Sequence, residues 1–335
     1  MELFYYLGID VSKDTIDVML RDHKGSLLKG QFKNTKKGMK EMGKQLARCK
    51  DFEWNKTLAC FEYTGIYVNH LLNFLISKNG NIWFEKPLQI KNSLGMVRGK
   101  SDLVDAERIA DYAFRYQDRA KLWTPPRPVI EKLKKLSTIR RQFIKMKNQL
   151  KKPMEESKIY DDKELYTVEK QMKTSLIKKV EMDIANVDKL IATTMAQDEE
   201  LSKLASKITS VTGVGKVTAA AIIVTTNEFQ DIKEAKKFAC YAGIAPYPNS
   251  SGSSKKGREK VSHLANKKVK TLLHLCALSA IGSKGELKLY YEKKVEQGKN
   301  KMAAINAVRN KIVHRVFAVV RDNRKYEKNY HYSLV

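Results

Sequence analysis

Tyr5-Tyr6-Leu7-Gly8-Ile9-Asp10-Val11 is an apolar, β-branched run interrupted by one carboxylate. Its composition predicts a half-buried strand, and an acid inside such a strand is costly unless something positive compensates it. Polar turns at Ser12-Lys13-Asp14 and at 22–25 separate it from two further runs, 15–21 and 26–33, so residues 1–33 read as a three-stranded meander. Residues 36–48 place Met39, Met42 and Leu46 at helical spacing. Strand 57–63, helix 66–77, strand 81–85 and helix 101–116 follow. The order βββαβαβα predicts an α/β ribonuclease-H-like domain over residues 1–124.

Three more carboxylates lie along this domain. Glu62 ends the run Leu58-Ala59-Cys60-Phe61-Glu62, and Asp102 and Asp105 lie three apart, on one face of the helix that Ser101 opens. Acids in a first helical turn are also ordinary caps. Asp14, Asp17 and Glu107 read as turn, surface and solvent-face residues. Oxygen ligands arriving from separate elements suit two hard cations about 3.5–4 Å apart, the arrangement of metal-assisted phosphoryl chemistry.

The whole chain points to a polyanionic partner. Of 335 residues, 64 are Lys or Arg and 37 are Asp or Glu, a net charge of +27. Each neutralised phosphate releases counterions and steers association. The four cysteines (Cys49, Cys60, Cys240, Cys276) have no Cys-x-x-Cys spacing, which argues against zinc and for reduced thiols in a cytoplasmic protein. No apolar run is long enough to span a bilayer and no signal peptide is apparent, so no membrane is expected.

Thr124-Pro125-Pro126-Arg127-Pro128 closes the first domain. From Val129 to Leu150 and from Leu165 to Ile191, apolar residues recur at three- and four-residue steps, predicting a coiled-coil arm over 125–205 whose hairpin falls at Pro153 and the polar stretch after it. Between Val129 and Lys152 stand nine Lys or Arg, among them Lys134, Lys135, Arg140 and Arg141, against one Glu, which favours contact with nucleic acid or an acidic partner.

Residues 206–325 predict a mainly α domain, with a tail at 326–335. Thr212-Gly213-Val214-Gly215-Lys216 reads as a glycine hairpin between helices. It is either a tight corner or a grip on nucleic-acid backbone through Thr212, Gly213, Gly215 and Lys216. Residues 240–262 read as a polar loop, and helices are expected near 263–281 and 300–321. In that loop Ser250-Ser251-Gly252-Ser253-Ser254 is followed by Lys255, Lys256 and Arg258. A serine hydroxyl amid cations can act as a nucleophile at phosphorus.

The chain resembles the DEDD insertion-sequence transposases of the one-ten family, bridge-RNA-guided serine recombinases. The matching pieces are Gly8-Ile9-Asp10-Val11-Ser12-Lys13, Glu62-x-Thr64-Gly65, Lys100-x-Asp102-x-x-Asp105-Ala106, Gly213-x-Gly215, Ala242-Gly243-Ile244-Ala245-Pro246, Ser250-Ser251-Gly252 and Gly257-Arg258. Lys267 and Lys268 follow Asn266 where many relatives have arginine. The resemblance implies that the ribonuclease-H-like domain is RuvC-like, in a transposase that cleaves and rejoins DNA strands as a mobile element is excised and inserted. Asp10, Glu62, Asp102 and Asp105 would hold Mg²⁺, with Mn²⁺ as a substitute. Ser251 would be the nucleophile, with Ser250 and Ser253 as neighbours a register shift could bring in. Implied partners are donor and target DNA, a structured non-coding guide RNA, and further copies of the chain as a dimer or tetramer, in the cytoplasm at the nucleoid. The alternative is a metal-only Holliday-junction-type nuclease without a covalent intermediate.

Overall fold

The computed structural model describes residues 2–93, 102–251 and 255–327. The chain forms two compact units, Met1–Pro125 and Pro126–Val335.

The first unit is a mixed α/β sheet unit. Its elements are β1 (Tyr5–Val11), β2 (Thr15–Arg21), β3 (Ser26–Lys33), α1 (Lys36–Leu46), β4 (Thr57–Glu62), α2 (Asn69–Ser77), β5 (Asn81–Glu85), α3 (Pro87–Ser93) and α4 (Asp102–Arg115). The five strands lie in the order β3-β2-β1-β4-β5, the first three antiparallel and β1, β4 and β5 parallel.

Strand alternation divides the residues between two faces. Leu7, Ile9, Ile16, Val18, Ala59 and Phe61 form one core with Met39, Met42, Leu71 and Leu75 of α1 and α2. Tyr6, Leu58, Cys60 and Trp83 face the other way, against Ile109, Tyr112 and Ala113 of α4. Gly8 explains how close α4 comes: a Cβ there would overlap the Ala106 carbonyl and the Ala110 backbone nitrogen. The helix therefore rests its backbone directly on β1.

The second unit comprises α5 (Pro128–Tyr160), α6 (Lys163–Ala196), α7 (Glu199–Ser210), α8 (Lys216–Thr226), α9 (Ala235–Tyr241), β6 (Pro246–Ser251), β7 (Lys255–Val261), α10 (Lys267–Gly282), α11 (Glu286–Glu296) and α12 (Lys301–Arg321). One core joins Ile130 and Leu133 of α5 with Val187 and Ile191 of α6 and with Ile223, Phe238, Leu273 and Ile312.

Three expectations need correction here. Pro153 lies inside α5 and does not make the hairpin. The turn falls at Asp161-Asp162, where ψ values of 161° and 147° break the helix. The expected polar loop at 240–262 contains the end of α9 and the antiparallel pair β6 and β7. The helix α11 was not anticipated; Gly285 precedes it and only Leu287 on it is buried, so its apolar pattern is thin. Among the described residues no helix is long and apolar enough to cross a membrane.

Candidate functional site

Asp10 sits one step past the parallel Ile9–Phe61 pair, so β4 carries Glu62 alongside it. Alternation puts both side chains on the face that α4 covers. The first turn of α4 bears Asp102 and Asp105, and the close seat at Gly8 brings that turn to the same end of the sheet. Across the antiparallel pairing Asp10 is opposite Asp17, a like-charge juxtaposition that strands ordinarily avoid.

The acids respond to one another. Burial, then Asp102, Asp105 and Asp17, pushes the Asp10 carboxyl above its ordinary value. Burial, then Asp10 and Asp105, raises Glu62. Asp17 was expected at the surface, yet it is 3% exposed. Burial and Asp102 raise it against the hydrogen bonds it accepts from Gln31 Nε2 at 3.0 and 3.3 Å. The signal that could have found it is its alternation with Ile16 and Val18, which puts it on Asp10's face. Glu85, in register with Glu62, also went unnoticed in the sequence; it accepts from the Tyr112 hydroxyl at 3.0 Å.

Among the described residues no Lys or Arg pairs with Asp10, Glu62 or Asp102, whereas Asp105 accepts from Arg108 at 2.8 Å. Nor, among them, do three Asp, Glu, His or Cys side chains stand close enough to hold an ion as they are arranged. The donor chemistry nevertheless fits a hard divalent cation: the four donors are carboxylate oxygens, and Asp10 and Glu62 are partly desolvated and raised by the neighbouring acids. Asp10, Glu62, Asp102 and Asp105 are the residues that would hold it.

Ser251 ends β6, in register with Lys255, and Ser250 is in register with Lys256. The backbone thus sets serines opposite lysines across the hairpin. The side chains of 249–256 and of Arg258 lie outside the described part of the structure, as do residues 252–254 altogether, Ser253 included.

The glycine hairpin divides between its two readings. Gly213 has φ +86°, and a Cβ there would overlap the Cys276 carbonyl and stand 2.9 Å from the Ala280 Cβ, so it is a packed corner. Gly215 caps α8 without a side-chain hydrogen bond and would have open space beside a Cβ, and Lys216 after it is exposed. Thr212 lines a cavity of about 160 Å³ with Lys284 and Arg315.

On the arm, Lys134, Lys135 and Arg141 are exposed. Arg140 is held instead by Asp188 of α6, with contacts of 2.5 and 3.2 Å, and closes the arm on itself.

Comparison with known proteins adds the remaining piece. A DEDD model of the IS110 type, described as a transposase, matches residues 7–156. A second model, described as transposase IS116/IS110/IS902 family, matches residues 205–292. The chain is 25% identical over 334 residues to a pilin gene-inverting protein of Moraxella bovis, covering 97% of this chain and 98% of that protein. It is 31% identical over 128 residues to an uncharacterized 43.6 kDa protein of insertion element IS110 from Streptomyces coelicolor, 38% of this chain and 31% of that one. DEDD transposase domains use divalent metal ions in general. With both family models matched in order along one polypeptide, the chain is a DEDD transposase of the IS110 family, an enzyme of DNA recombination.

Proposed function

We propose that this transposase cleaves and rejoins DNA through a serine ester, with Mg²⁺ held by Asp10, Glu62, Asp102 and Asp105 and with Ser251 as nucleophile. The observation that carries the metal half is the electrostatic coupling of Asp10 and Glu62 with the first turn of α4, with no pairing cation on either among the described residues. The strand order β3-β2-β1-β4-β5 supports a ribonuclease-H-like assignment. The name of the Moraxella relative, a pilin gene-inverting protein, supports strand exchange, since inverting a gene requires both cutting and rejoining.

In the proposed step the Ser251 Oγ attacks phosphorus and one phosphorus–deoxyribose oxygen bond breaks. The serine proton passes to water or a carboxylate, and the released deoxyribose oxygen takes up a proton. The phosphoserine diester preserves the bond, so a deoxyribose hydroxyl can attack it, restore the serine and reseal a strand. A bound divalent ion supplies charge stabilisation to the phosphate and the departing oxygen. Lys255 and Lys256, in register with the serines, add positive potential to the same hairpin. The family resemblance supports a structured guide RNA that selects sites by base pairing, leaving the protein to read backbone and shape.

An assembly of several copies is supported by the arm. Leu165, Val168, Met172 and Leu176 lie at seam spacing on α6 yet are 64, 48, 72 and 55% exposed, an apolar stripe that a second copy would cover.

Denaturing electrophoresis of the full chain with end-labelled element-junction DNA, guide RNA and Mg²⁺ tests the reading. A covalent protein–DNA adduct is expected with the native protein and none with Ser251→Ala. Cleavage without any adduct would leave the metal-only nuclease in its place.

A further inference from the structure

The second unit holds a buried cationic cluster that the reaction above does not use. Lys270 and His274 stand one turn apart on α10, and Arg309 meets them from α12. Arg309 is 6% exposed. Its Nη2 lies 2.5 Å from His274 Nδ1. A guanidinium only donates, so Nδ1 accepts and the imidazole proton sits on Nε2. Burial, then Arg309, holds the His274 pKa down, in keeping with a neutral ring. Nη1 reaches Asn306 Oδ1 only at 3.5 Å, and Nε is buried with no partner. The Lys270 ammonium lies 3.8 Å from where a Cβ on Gly243 would stand. Burial, then Arg309, lowers its pKa as well.

Among the described residues no carboxylate pairs with Lys270, His274 or Arg309. Other arginines of this unit are matched: Arg127 by Asp198 and Glu228, and Arg315 by Glu286. A buried guanidinium with an open donor beside a second cation is a poor way to stabilise a fold. It is an effective way to receive an anion, since charge-assisted donors are already aimed and partly dehydrated.

Location gives the anion its identity. Gly243, beside Lys270, adopts φ +64°, and the carbonyl of Ile244 accepts from Asn306 Nδ2 at 2.8 Å. This turn leads straight into Pro246, where β6 begins and runs to Ser251. The five residue steps from Pro246 to Ser251 span about 17 Å, so the cluster and the serine are separated along the hairpin.

We propose that Lys270 and Arg309, the latter oriented by His274, form a phosphate site at the root of the serine hairpin that grips the DNA backbone a few nucleotides from the reacting phosphodiester. This rests on the reading that the hairpin works on DNA. Lys270 and Arg309 are positioning residues for the strand.

The test uses the full chain and a fluorescent mixed-sequence duplex. Lys270→Gln and Arg309→Gln should each weaken binding roughly three- to tenfold near 0.1 M salt and flatten the log–log salt slope by about 0.9, the signature of one lost phosphate contact. Neither should lower the thermal midpoint of the free protein, whereas removing a structural arginine would. Sulfate should raise the native midpoint above that in chloride at equal ionic strength, and Lys270→Gln should lose that response. If Arg309→Gln fails to fold, the half-buried Lys270→Gln carries the test. An unchanged slope together with an unchanged sulfate response in Lys270→Gln overturns the site. A slope change seen with an RNA hairpin but not with the duplex overturns the assignment to DNA. A native protein that ignores duplex yet answers sulfate keeps the anion site and removes the DNA reading beneath it.

Discussion

A Cβ on Gly8 would stand 2.8 Å from the Cα of Ala110, so β1 and α4 touch backbone to backbone at this pair. The contact brings the aspartates of α4's first turn to the end of the sheet that carries Asp10. Gly8→Ala should force the helix off the strand and destabilise the first unit by about 1–3 kcal/mol, the usual cost of overpacking. Strand cleavage should fall further than the unfolded fraction accounts for, because Asp102 and Asp105 move with the helix. Denaturant unfolding and cleavage assays on the same preparation check this.

The carboxylate cluster makes a metal prediction. Calorimetric titration with Mn²⁺ should show saturable binding that Asp10→Asn and Glu62→Gln each remove. Asp17→Asn should raise the midpoint of the metal-free protein, since it deletes a buried charge facing Asp10 while keeping a side chain that Gln31 can bond. A lowered midpoint would make Asp17 a structural acceptor instead.

Asp198 gives a pH dependence of known sign. The Leu201 amide, then Arg127, holds its carboxyl below the ordinary value. A depressed acid contributes its stability in full above the unfolded pKa, near 3.9, and loses it as pH falls through the lower folded value. Thermal midpoints of native protein and Asp198→Ala should therefore differ at pH 7 by the equivalent of about 1 kcal/mol, a typical N-cap contribution. The gap should persist to about pH 5 and shrink only below about pH 4.

Much of this was legible in the sequence. The alternation in 5–11 and the order of runs to residue 85 yield the sheet, because each strand has one face committed to a core. Asp17 was misread because a single acid in Thr15-Ile16-Asp17-Val18 looks like an ordinary exposed position until its opposite number is known to be Asp10. The hairpin of β6 and β7 was hidden for a different reason. Its Ser, Gly and Lys composition carries no apolar alternation, and the strands are held by pairing to each other. Pro153 misled because a proline ordinarily ends a helix. The buried cluster around Arg309 could not be foreseen, since Arg309 lies 35 or more residues from His274 and Lys270, on a different helix with no shared motif.

The exposed stripe on α6 predicts self-association. Met172→Glu with Leu165→Glu should lower the mass measured by sedimentation while leaving helical circular dichroism unchanged. An unaltered mass would assign the stripe to another partner.

Because α5 passes through Pro153 without ending, the arm's first helix keeps its full 33 residues, a length of roughly 50 Å. Copies joined along such a strut would be held apart by helical rise and not by slack in a loop. Deleting one heptad from each helix would shorten the gauge by about 10 Å while returning the same residues to the seam. Recombination sites could then be re-spaced in discrete notches, with intermediate lengths turning the adhesive stripe away from its counterpart.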